Sequence, residues 1–121
     1  MPAPIVLVHD DLEFSATTAE ALRRFDGSAV ALFHDSTSAL GALEAAEKIG
    51  LLITRVTFAP GQPHGIALGR MARMKRPGVK VLLLCEPENL DFTDGVGEVL
   101  VFPVGADDVV NKVREMLAKS A

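Results

Sequence analysis

The chain has no tryptophan, no tyrosine and one cysteine in 121 residues, with no surplus of basic residues. Each shortage excludes something. With Cys85 alone, no internal disulfide can form and nothing points to an oxidising compartment. A net charge of -4 gives no general attraction to nucleic acid or to an anionic membrane, and without Trp or Tyr there is little to stack on a base. No apolar run approaches the roughly 20 residues that a spanning helix needs, and the first run, in "MPAPIVLVHDD", is too short and wrongly flanked for a signal peptide. A cytoplasmic location is therefore expected.

What the chain does have is a hydrophobic content of 49%, enough to bury a core without staples. One domain over residues 1–121 is expected, so any output would be delivered in trans. Five short apolar runs recur, at 5–8, 29–33, 51–56, 79–85 and 99–104. They are mostly continuous rather than alternating, as strands covered on both faces are. Helical periods lie between them. Phe14, Thr18, Leu22 and Phe25 share one face; Ala39, Leu43 and Ala46 share another behind the cap candidates Ser36 and Ser38; Ala67, Met71 and Met74 form a third; Val109, Val113, Met116 and Leu117 close the chain behind acidic caps. The segment "EPENLDFTDGVGE", from Glu86 to Glu98, has little to bury, so any helix within it must be short. Alternating strands and helices with short connections predict a doubly wound α/β fold, with the carboxyl ends of all strands on one edge. In such folds function sits on that edge.

The residues at that edge are His9, Asp10 and Asp11; Thr54, Arg55 and Val56; Cys85 and Glu86; Phe102 and Pro103. Taken with "IVLVHDDLE", "LFHDSTSALGALE", "APGQPHGIALGRMARMKRPGVKVLLLC" and "VFPVGADDVVNKVREML", in that order over nearly the whole chain, they give it a resemblance to response-regulator receiver domains of the CheY-like type. The resemblance implies a five-stranded parallel sheet of flavodoxin-like order 2-1-3-4-5 and a role in two-component phosphorelay signalling. In such receivers an acidic pair and a phosphoacceptor aspartate hold Mg²⁺, while a lysine and a Ser/Thr contact the phosphoryl group.

Carried over to this chain, the resemblance keeps Asp10 and little else. His9 and Asp10 fall on the acidic pair, and Arg55, or Thr54 with a shift of one, falls on the phosphoacceptor. Cys85 falls on the Ser/Thr, Phe102 before Pro103 falls on the lysine, and Val99 falls where an aromatic switch residue often lies. The nucleophile is absent. His9 (neutral), Asp10, Arg55 and Phe102 sum to no charge, which leaves a hard divalent cation one dedicated carboxylate, with Asp11 nearby and an arginine already beside it. No metal and no cofactor is therefore expected. Arg55 is expected to pair with Asp10 or Asp11. Two lengths also differ from the family: the loop after the third strand, shaped by Pro60, Gly61, Pro63 and Gly65, is slightly longer. The stretch from Cys85 to Phe102 is shorter by more than a helical turn, so the fourth helix of the family should be short or missing.

The expected function is a receiver-like module, not an enzyme, that cannot be phosphorylated at the usual site and acts by binding a protein partner or itself. The basic set Arg70, Arg73, Lys75 and Arg76 is a candidate surface for an acidic protein partner, nucleic acid being the weaker option. One alternative keeps the signalling role with an unconventional input, either phosphorylation of Asp10 or Asp11 or a small ligand in the altered pocket. A remoter one is a small thiol enzyme using Cys85 and His9.

Overall fold

The structure, a computed structural model, describes residues 4–27, 29–45, 49–58, 61, 64–93 and 95–118. Five strands form one sheet: β1 (Ile5–Val8), β2 (Val30–Phe33), β3 (Leu51–Arg55), β4 (Lys80–Cys85) and β5 (Glu98–Val101). All neighbours are parallel and the order is β2-β1-β3-β4-β5, as expected. The helices are α1 (Leu12–Asp26), α2 (Ser36–Ala45), α3 (Gly65–Lys75) and α4 (Ala106–Ala118). Between β4 and β5 stands only a 3-10 helix, Pro87–Thr93, in keeping with the short segment. No helix among the described residues is long and apolar enough to cross a membrane.

The strands are continuous apolar runs because both faces are covered. Val6, Val8, Leu52, Val81, Leu83 and Cys85 pack with Leu43, Leu68 and Ala72 on the α2/α3 side. Ile5, Leu7, Ile53, Leu82 and Leu84 pack with Leu22, Val109 and Val113 on the α1/α4 side. The ladder continues past the strand ends: His9 N–H donates to Phe33 O, Val56 N–H to Leu84 O and Phe102 N–H to Cys85 O, at 2.9 to 3.0 Å. The backbone at the carboxyl edge is thereby fixed.

Three helix expectations need correcting. On α3 the buried residues are Gly65, Leu68, Gly69 and Ala72, while Ala67 and Met74 are exposed. The reason is close approach: a Cβ on Gly65 would fall on the carbonyl oxygen of Arg55, and one on Gly69 would lie 3.0 Å from Val96 and 3.1 Å from Val81. The helix is pressed onto the sheet through its glycines, and the face that carries Ala67 and Met74 is left outward. On α2 the cap is Asp35, whose Oδ1 accepts from the Ser38 N–H at 2.7 Å, because Ser36 and Ser38 already lie within the helix. On α4, Val109, Val113 and Met116 are buried but Leu117 is 37% exposed at the edge of the stripe. Ala46, Pro60 and Pro63 lie outside the described residues.

Gly65→Ala is expected to lower stability by about 1–3 kcal/mol, because the new methyl meets backbone that cannot yield. Gly41→Ala, where a Cβ meets nothing within 4 Å, should gain about 0.5–1 kcal/mol from helix propensity alone. Thermal melts of the two variants and the parent check both signs.

Candidate functional site

Register brings the edge residues together. Val8 lies opposite Thr54 and Arg55 opposite Leu84, so the residues after β1, at the end of β3 and after β4 converge. Arg55 is the centre. Its Nη1 donates to Asp10 Oδ1 at 2.7 Å and its Nη2 to Glu86 Oε1 at 2.7 Å. The guanidinium thus spans the carboxyl ends of β1, β3 and β4. The side chains of Arg55 and Glu86 are about a quarter exposed, at 27% and 26%, and that of Asp10 is 42% exposed. Burial works against the charge on Arg55, but its hydrogen bonds to Glu86 and Asp10, with their negative charges, outweigh it and hold its pKa above the ordinary arginine value. The Arg55 Cζ also sits 5.7 Å from the centroid of the Phe102 ring, within cation–π range. Phe102, where the resemblance would place a lysine, gives the guanidinium an aromatic neighbour.

The expected pairing of Arg55 with Asp10 is present, and the one with Asp11 is not. Asp11 caps α1 instead, its Oδ1 accepting from the Phe14 N–H at 3.0 Å. The second carboxylate is Glu86, which the sequence placed at a strand end without a role. One guanidinium against two carboxylates leaves the cluster with one negative charge, where a count over His9, Asp10, Arg55 and Phe102 came to zero. Arginine has two donor edges, and the second meets Glu86 at the next strand end along the sheet.

His9 is 4% exposed. Its Nδ1 accepts from the Asp11 N–H at 3.0 Å, so the neutral ring carries its proton on Nε2, a buried atom with no partner among the described residues. The ring lies 4.6 Å from Phe14 and 6.0 Å from Phe102, centroid to centroid. Burial is the main reason that its pKa falls below the ordinary value of 6.5, with the Arg55 charge adding to it and the Asp10 charge opposing it. Thr54 is fully buried and its hydroxyl donates to Arg55 O at 2.9 Å, so it braces the strand end rather than lining a pocket. Pro103 is exposed and follows a cis peptide bond.

Cys85 is fully buried within the α2/α3 core, and burial pushes its thiol pKa up. A thiol held in this way is a poor nucleophile at neutral pH. Two of the four basic residues have structural uses. Arg73 Nη1 donates to Val96 O at 2.8 Å, and Arg76 Nη1 donates to Leu43 O at 2.9 Å. Arg70 and Lys75 are exposed on α3. Among the described residues, no group of three or more His, Cys, Asp or Glu side chains is placed to hold a metal ion.

No protein-family model matches the chain and no curated protein matches its sequence. Solved structures do match. A response regulator receiver domain protein (CheY-like) from Methanospirillum hungatei JF-1 superposes with a TM-score of 0.82 and 23% identity, covering 98% of this chain and 96% of that one. The fold is that of a receiver domain. The BeF3-activated DrrB receiver domain gives 0.79 at 22% identity over 98% and 99% of the two chains, and the chemotaxis protein CheY4 from Vibrio cholerae gives 0.77 at 19% over 95% and 98%. At these identities the likeness is one of architecture, and activity has to be argued from the edge residues themselves.

Two outcomes test the geometry. Arg55→Met should cost about 1–3 kcal/mol at neutral pH, because Asp10 and Glu86 lose their donors and face each other; adding D10N and E86Q to the same chain should recover part of that loss in urea denaturation. His9 gives a pH dependence with a definite sign. Its folded pKa is depressed, so the unfolded chain binds the proton more readily. The stability it contributes is complete above about 6.5 and is lost as pH falls through the lower folded value. Urea midpoints measured from neutral to mildly acid pH should decline, and the decline should flatten in His9→Asn.

Proposed function

We propose that this chain is a signalling module of receiver type that is not switched by aspartyl phosphorylation at the end of β3, is not an enzyme, and works by protein–protein interaction. The observation that carries the reading is Arg55. It stands at the end of β3, where the resemblance expects the acceptor carboxylate, and its guanidinium spans Asp10 and Glu86. A protonated guanidinium engaged by two carboxylates offers no carboxylate nucleophile, so no aspartyl phosphate can form at this position. It also occupies, covalently and permanently, the place beside the carboxylates where a dissociable cation would have to sit. With the attacking carboxylate replaced and the metal's charge supplied by the chain, the pocket holds one arrangement instead of two. In this reading the domain supplies a constant surface whose partner does not depend on its phosphorylation state.

Phosphorylation of Asp10 or Asp11 instead has weaker support. One is engaged by Arg55 and the other caps α1. Intact-mass measurement after incubation with acetyl phosphate and Mg²⁺ tests the reading. No phosphoryl adduct is expected, and a stable one on any aspartate would overturn it.

A further inference from the structure

The sulfur atoms of the chain lie in contrasting surroundings. Cys85 is fully buried in the α2/α3 core, and burial holds its thiol pKa up, so the thiolate that peroxides attack is scarce and out of reach. Met116 is 4% exposed, and Met71 is half-buried against the same core as Cys85. Met74 is 83% exposed. Among the described residues it is therefore the one thioether that a dissolved oxidant meets without any opening of the fold.

The neighbours of Met74 decide what oxidation does there. With Ile66, Arg70, Met71 and Phe92 it lines a groove of about 770 Å³. Arg70 stands one helical turn earlier on α3, on the same face, at the spacing that lets two side chains meet. It is exposed and has no ion-pair partner among the described residues. A thioether is a weak acceptor and offers that guanidinium little. A sulfoxide is polar and carries a strong acceptor oxygen. Oxidation of Met74 thus gives Arg70 an acceptor within reach and replaces one apolar position of the groove by a polar one.

We propose that Met74 is a site of selective oxidation by hydrogen peroxide, and that Arg70 donates a hydrogen bond to the resulting sulfoxide oxygen. In the step, a lone pair of the Met74 sulfur attacks one peroxide oxygen. The S–O bond forms as the O–O bond breaks, the sulfur gives up two electrons, and the proton of the attacked oxygen passes to the departing one, which leaves as water. A chain that works by contact then presents a different face beside α3 after oxidation. Only that last consequence rests on the reading of the chain as an interaction module. A phosphoryl adduct would sink that reading and leave the chemistry of Met74 untouched; an unreactive Met74 would leave the Arg55 edge untouched.

The test treats the folded full chain with dilute hydrogen peroxide at neutral pH and follows each methionine and Cys85 by peptide mapping. Met74 should oxidise at least about tenfold faster than Met71 and Met116, which react only when the fold opens, and Cys85 should stay a thiol over the same interval. In urea the three methionine rates should converge. Equal rates in the folded chain, earlier oxidation of Cys85, or a preference for Met74 that persists in urea would overturn the site. Arg70 is tested by thermal melts of the Met74-oxidised and unoxidised chain, in the parent and in Arg70→Leu. Oxidation should lower the melting temperature more in Arg70→Leu than in the parent. Equal shifts in the two chains would overturn the role given to Arg70.

Discussion

The carboxyl edge depends on one guanidinium fixed between two carboxylates. Arg55 reaches Asp10 after β1 and Glu86 after β4 with equal hydrogen bonds of 2.7 Å, and so joins three strand ends that a working phosphoryl pocket would leave to a metal ion and a transferred group. Such pairs are of modest value to stability, since desolvation offsets much of the attraction. A permanent cation makes the edge the same under all conditions in which arginine is charged, and the surrounding residues fit it. Phe102 gives the guanidinium a ring face, and His9, buried and neutral against Phe14, adds no second charge. Cys85 serves the core.

The same shift from chemistry to packing runs through the region beside the edge. The connection between β4 and β5 carries a seven-residue 3-10 helix, and Arg73 ties its far side to α3 by donating to the carbonyl oxygens of Gly95 and Val96. A groove lies between this connection and α3, and α3 is itself held close to the sheet through Gly65 and Gly69. The arginine cluster at the carboxyl edge and the exposed Met74 and Phe92 beside α3 are separate features of one scaffold.

The fold was legible in the sequence because buried parallel strands carry continuous apolar runs, and five of them in alternation with helical periods admit few topologies. The charge at the end of β3 was legible for a similar reason: an arginine closing an apolar run is an exception that periodicity exposes. What escaped was set by backbone approach and side-chain reach. Of the α3 stripe only Met71 packs against the core, and a count of apolar side chains cannot tell that glycines face the sheet and leave Ala67 and Met74 outward. Glu86 stood one residue beyond Cys85 in plain view, but the span from Arg55 depends on strand register and on which acid the second donor edge meets. Arg73 and Arg76 read as a basic surface because spacing does not reveal which long side chains bend back to backbone carbonyls. Asp11 read as an alternative partner for Arg55, but it caps the start of α1.

The central claim is that the guanidinium of Arg55 fills the place of the metal and the acceptor. A crystal structure grown in the presence of Mg²⁺ tests it most directly. The expected density shows Arg55 between Asp10 and Glu86 with no metal beside them. An octahedral ion coordinated by Asp10, with the arginine swung into solvent, would contradict it.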